Sequence, residues 1–153
     1  MPTDFEDNFG SILRLYRMED TPITMKVLVT GSSGFVGKET CNLLSNMGFT
    51  VIPFDLMNGG QDITDIASLE EVITKNGPDR ILHLAATARF TDADRFPEKA
   101  FRTNYLGTEQ VALASRKFHI PVVYSSTGTV YMPIKQEMPI TEDFPAGGNS
   151  NYG

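Results

Sequence analysis

MKVLVTGSSGFVG, Met25 to Gly37, reads as a buried strand that turns through three glycines into a helix. Met25 to Val29 is aliphatic and β-branched, as an inner parallel strand should be. Gly31, Gly34 and Gly37 follow at G-x-x-G-x-x-G spacing, and each glycine has a separate task. Gly31 lets the chain turn sharply off the strand, Gly34 lets the backbone approach a pyrophosphate, and Gly37 lets the helix pack closely on the sheet. The helix N-terminus then presents unpaired N–H groups and a partial positive charge to that anion. Three glycines in a loop are a weak signal alone; their place between a strong strand and a strong helix points to a dinucleotide site rather than a plain tight turn.

Outward from this stretch, apolar strands alternate with amphipathic helices. A helix is predicted from about Phe35 to Met47, with Val36, Leu43, Leu44 and Met47 facing inward and Gly48 ending it. Thr50 to Phe54 is a second strand, and a helix over Ile66 to Lys75 is capped by Thr64 or Asp65 and stopped by Asn76-Gly77-Pro78. Arg80 to Ala85 is the next strand, followed by a loop from Ala86 to Asp94, a long helix from about Pro97 to Phe118, and a buried strand from Ile120 to Ser125. Met132 to Ser150, rich in Pro, Gly and acidic residues, reads as an active-site loop. Strands separated by helices imply an α/β fold with a doubly wound parallel sheet of the Rossmann type, whose ligands sit beyond the carboxyl ends of the strands. Gly31, Asp55, Ala85 and Ser125 all fall at such ends.

The 153 residues carry a net charge of −6 and no basic run, which argues against a nucleic acid or an anionic membrane surface as partner. No stretch approaches the roughly 20 apolar residues of a membrane helix. Residues 1–24 are read as an extension with a possible amphipathic helix, and 25–153 as the dinucleotide-binding domain. Cys41, the one cysteine, cannot form an internal disulfide and reads as a buried, inert thiol of a reducing, cytoplasmic setting. No metal site is expected.

Asp55 stands 18 residues beyond Gly37, at the end of the second strand. A carboxylate there accepts hydrogen bonds from ribose hydroxyls and repels an added 2′-phosphate, which favours NAD over NADP. Asp62 and Ile63 could hold and wall an adenine, although DITD also reads as a helix cap. Leu84, Ala85 and Ala86 are small enough, or placed so, to let backbone approach a ligand, and His83 before them reads as a structural histidine. Asn104 is a poor helix former inside a helix, with an amide able to bridge backbone groups at strand ends. Ser125, Ser126 and Thr127 offer hydroxyls at the end of the last strand.

Taken together, TGSSGFVG, FDL, DIT, HLAA, NYLGT, SSTGTVY and the final NYG resemble the extended short-chain dehydrogenase/reductase family, in its NAD-dependent sugar epimerase/dehydratase group. The resemblance runs from about Met25 to Gly153. It implies NAD as cofactor and a nucleotide-sugar as substrate. It places Gly31, Phe35 and Val36 along the pyrophosphate, Asp55 on the adenosine ribose, and Asp62 and Ile63 at the adenine. Leu84, Ala85 and Ala86 would flank the cofactor, with Asn104 supporting the site. Thr127 and Tyr152 would be the catalytic pair. Gly128 and Thr129 stand where the 4,6-dehydratases carry an Asp-Glu pair, and the 21 residues from Tyr131 to Tyr152 suit a UDP-galactose 4-epimerase loop. The short stretch from Asp55 to Asp62 instead resembles the 4-keto-deoxysugar reductases and leaves little room for a further strand.

The family motif has a lysine four residues after the tyrosine, and this sequence ends at Gly153. A free tyrosine has a pKa near 10, and without a nearby ammonium its phenolate is not stabilised. The expectation is therefore the N-terminal part of an enzyme, with the sheet incomplete at its C-terminal side, the substrate lobe absent, and no turnover by itself. A homodimer is expected of the complete enzyme, through the long helix. The rival from another class is a non-catalytic dinucleotide-binding module.

Overall fold

The computed structural model describes residues 25–131, 140–141 and 143–147. The expected N-terminal extension and Tyr152 lie outside the described residues. Four parallel strands form the sheet: β1 (Lys26–Thr30), β2 (Thr50–Phe54), β3 (Arg80–His83) and β4 (Val122–Tyr124), in spatial order β2-β1-β3-β4. Thr30 is in register with Phe54 on one side and His83 on the other. The chain leaves β1 for β2, then crosses back over β1 to reach β3. That reversal opens a crevice between the carboxyl ends of β1 and β3.

Between β1 and β2 runs α1 (Phe35–Asn46); between β2 and β3 runs α2 (Ile66–Asn76). Asp65 caps α2 by accepting the N–H groups of Ala67 and Ser68, and Gly77 ends it in the left-handed conformation. The main core lies between one sheet face (Leu28, Ile52, Phe54, Ile81) and the helices α2 (Leu69, Ile73) and α5 (Gly107–Phe118; Val111, Ala114). Val27 and Val29 alternate with Leu28 and are buried on the opposite face, where α1 covers β1 and β2.

The structure departs from the sequence reading in four places. The loop expected from Ala86 to Asp94 contains the start of α3 (Phe90–Arg95). The long helix is divided into α4 (Pro97–Ala100), a π-helical stretch (Phe101–Leu106) and α5. Strand β3 ends at His83 rather than Ala85, and β4 is three residues long with Val123 and Tyr124 exposed rather than buried. Finally, Val36 and Leu43 face outward on α1. Its covered stripe is Gly37, Thr40, Cys41, Leu44 and Met47, because the helix docks through Gly37 onto the Gly31 turn and that contact sets its rotation. Cys41 is half-buried, and burial raises its thiol pKa, keeping it protonated and unreactive.

Candidate functional site

Gly31 leaves β1 with φ +69°, and a Cβ there would stand 2.7 Å from the Ala85 nitrogen. The two strand ends therefore touch through glycine alone. Above this contact opens a cavity of about 760 Å³, lined by Gly31, Gly34, Asp55, Asp62, Ile63, Leu84, Ala85 and Ala86 among the residues singled out in the sequence.

The glycine turn that borders this cavity at Gly31 and Gly34 is short of hydrogen-bond partners. Gly34, the residue capping α1, offers no side chain, so the first N–H groups of that helix have no cap. Ser32 is buried, and its Oγ has no hydrogen-bond partner among the described residues. An uncapped helix start beside an orphaned hydroxyl is the donor set a phosphate satisfies. Asp65 fills the same need at α2 with a carboxylate; at α1 no side chain does so.

Asp55 is held by its own surroundings. Its Oδ2 accepts the Ser33 N–H at 3.1 Å and its Oδ1 accepts the Met57 N–H at 3.0 Å. Gln61 Oε1 accepts the Asp55 N–H at 3.3 Å. The carboxylate is thus fixed at the mouth of the glycine turn, with lone pairs to spare for hydroxyl donors. Asp62 Oδ1 accepts both the N–H and the hydroxyl of Thr64 at 2.9 Å, bracing the turn before α2. Ile63 lines the cavity and also belongs to the core.

Asn104 lies in the π-helical stretch, away from the cavity lining. Its Oδ1 accepts the Thr87 N–H at 2.7 Å and its Nδ2 donates to the Thr87 carbonyl at 3.3 Å. The amide thereby bridges both backbone groups of one residue beyond β3. Phe35 is 92% exposed and Val36 is 59% exposed, and neither lines the cavity; Gly37 is buried behind it. Ser125 is exposed, with its N–H on the His83 carbonyl at 3.2 Å. Thr127 is half-buried; its Oγ1 accepts the Thr129 N–H at 3.2 Å and lies 3.1 Å from Thr129 Oγ1. Neither borders the cavity.

Several lining residues have no counterpart in the sequence reading. Arg95, Lys99 and Arg102 line the wall formed by α3, α4 and the π-helical stretch, facing a cavity that also holds Asp55, Asp62 and Glu98. The spacing of four and three residues between those cations is readable in the sequence, but the break at Phe96 sets Arg95 on a different helix from Lys99. Gln61 gave no signal. His83 is 1% exposed, with Thr30 Oγ1 2.7 Å from Nδ1 and Thr108 Oγ1 3.0 Å from Nε2; burial lowers its pKa to about 4.

A parallel sheet with a glycine turn, an uncapped helix and a strand-end carboxylate at its switch point defines a dinucleotide-binding fold of the Rossmann type. Residues 27–153 match the model of the NAD dependent epimerase/dehydratase family, and the chain belongs to that family. It is 29% identical over 150 residues to the UDP-glucose 4-epimerase of Bacillus subtilis, covering 84% of this chain and 44% of that one. It is 32% identical over 126 residues to the dTDP-4-dehydrorhamnose reductase of Streptomyces griseus, covering 82% and 40%. The crystal structure of UDP-glucose 4-epimerase from Brucella ovis in complex with NAD superposes with a TM-score of 0.77 at 29% identity, covering 84% of this chain and 43% of that one. The chain therefore spans less than half the length of these relatives.

Proposed function

We propose that this chain is the NAD-binding part of an enzyme that acts on a nucleotide-linked sugar. The observation that carries the proposal is the pairing of an uncapped α1 start and orphaned Ser32 hydroxyl with a pre-set Asp55 beside them at the end of β2. In this reading the pyrophosphate lies over Gly31, Gly34 and the start of α1, with Phe35 and Val36 beside it. Asp55 accepts the adenosine ribose hydroxyls, and Asp62 and Ile63 border the adenine. Leu84, Ala85 and Ala86 line the cofactor's path, and Asn104 holds the loop behind them. NAD supplies a hydride acceptor when bound. Thr127 orients the sugar hydroxyl, and Tyr152 removes its proton. The phenolate of Tyr152 needs a neighbouring ammonium to stabilise it, a polypeptide of these 153 residues has no lysine four places beyond it, and we expect no steady-state turnover from it.

The rhamnose-type reductase is the second reading. It is favoured by the short connection from Asp55 to Asp62, which leaves β2 at the sheet edge, and by the Streptomyces griseus relative. A complete epimerase regenerates its cofactor, whereas a reductase consumes it stoichiometrically. The complete enzyme is proposed to dimerise through the helical face that exposes Phe101, Tyr105 and Leu113.

Calorimetric titration of the purified chain with NADH and NADPH tests the cofactor assignment. Binding of NADH in preference to NADPH is expected. Asp55→Ala is expected to weaken NADH by about tenfold, the loss of charge-assisted hydrogen bonds to the ribose, and to narrow the preference. Unchanged relative affinities would remove Asp55 from the site.

A further inference from the structure

The proton on the buried His83 ring is fixed from both sides. Thr30 Oγ1 accepts the Ala85 N–H at 3.3 Å and shares the Leu84 N–H, at 3.2 Å, with the Thr30 carbonyl, also at 3.2 Å. A hydroxyl has two lone pairs and one proton; with these amides donating to its acceptor side, the hydroxyl's proton points to His83 Nδ1, 2.7 Å away. On the far side, Thr108 Oγ1 donates to the Asn104 carbonyl at 2.6 Å. It can therefore only accept from His83 Nε2 at 3.0 Å. Both ends demand the same state, a neutral ring protonated at Nε2, and hydrogen bonds run one way from the loop amides to the π-helical stretch.

This chain joins two clamps on one loop. Thr30 holds the loop at Leu84 and Ala85, and Asn104 holds it at Thr87 through both backbone groups. Between the clamps lie the residues that line the cavity, Leu84 to Ala86. The partners stand 53 and 25 residues from His83 in the chain, and the imidazole ties the end of β1 to the helix. The Tyr124 ring stacks on it at 5.6 Å and covers it.

We propose that His83 is a positioning residue of the dinucleotide site. As the neutral Nε2–H tautomer it is a strut, with Thr30 and Thr108, that fixes the Leu84–Thr87 loop against the π-helical stretch. This rests on the reading of the cavity as a dinucleotide site. The strut sets the wall the cofactor lies against; it neither donates to nor accepts from the reacting atoms.

The test uses the 153-residue chain, ¹⁵N-labelled, at neutral pH. Long-range ¹H–¹⁵N spectra are expected to show His83 protonated at Nε2 alone. Thr108→Val keeps the shape and removes the hydroxyl. It is expected to speed amide exchange at Ala85 and Thr87 and to weaken NAD⁺ by about tenfold, the scale of one lost buried hydrogen bond. Thr108→Ser is expected to restore both. A threonine that merely fills space would give the opposite ranking, with Val better than Ser. A ring protonated at Nδ1 or at both nitrogens overturns the proposal, as does exchange and binding in Thr108→Val equal to the unsubstituted chain. Should Thr108→Val fail to fold, the tautomer and the Ser variant decide. Should the unsubstituted chain not bind NAD⁺, the dinucleotide reading falls, and the tautomer and exchange still decide the strut.

Discussion

A Cβ added at Gly37 would overlap the Gly31 carbonyl oxygen, which is backbone and cannot swing aside. Gly37→Ala must therefore lift α1 off the turn, at a cost on the order of 3 kcal/mol. Gly128→Ala meets nothing within 4 Å and is expected to be near neutral; chemical denaturation of both variants checks the contrast. His83 carries a different constraint. Its pKa falls to about 4 in the fold, because burial disfavours the charged ring, against about 6.5 in the unfolded chain. Below pH 6.5 the unfolded chain takes up a proton that the folded chain refuses, so stability present at neutral pH is lost as pH falls towards 4. The expected loss is about 1.3 kcal/mol between pH 7.5 and 5.5, read from urea midpoints, and His83→Gln should flatten that window. Gly31, Gly37 and Asp55 were legible because turn chemistry and a strand-end charge are local signals. The role of His83 as a link was not, since its threonine partners are distant in sequence.

At the scale of elements, the ends were easier to read than the interiors. Asp65 and Gly77 bracket α2 by a carboxylate cap and a left-handed glycine, both written in the sequence. The short α3, FTDADR, has no apolar periodicity to announce it. The π-helical stretch answers to a tertiary demand instead: its wide turn carries Asn104, whose amide meets Thr87, and no propensity encodes that meeting. The rotation of α1 was likewise hidden, because the Gly37 contact outweighs the apolar pull of Val36 and Leu43. The end of α5 carries a testable strain. His119 closes that helix at φ 56°, the described non-glycine residue with positive φ, a conformation costing an L-residue about 1 kcal/mol. Its side chain is exposed, so His119→Gly should relieve the strain and stabilise the chain by about 0.5 kcal/mol after the added freedom of the unfolded state. A lower melting temperature in the variant would mean the imidazole makes a contact worth more than the strain.

Across the whole molecule, the two edges of the sheet are unlike. At β2 the edge carries Pro53, exposed and without an N–H to offer, which blunts pairing with another strand. At β4 no described residue does the same. The ladder to β3 uses the Pro121 carbonyl and the Ser125 N–H. By the two-residue period of a strand, the N–H and C=O of Val122 and Tyr124 therefore point the other way, where no described strand pairs with them. Side chains add to the exposure: along the row Val29, Leu82, Val123 the first is buried, the second half-buried and the third 61% exposed. A bare edge of β-branched and aromatic residues recruits a second strand, and the row offers it an apolar face to pack on. The chain should therefore self-associate with rising concentration in size-exclusion chromatography with light scattering. A second apolar surface, Leu113 with Tyr105 on the long helix, competes for that role, and paired variants separate them. Val123→Lys places a charge on the edge strand without touching its ladder to β3, and should shift the chain towards the monomer. Leu113→Lys should leave the edge-driven species in place. The reverse pattern would assign the association to the helix face and leave β4 an edge that other features of the fold already protect.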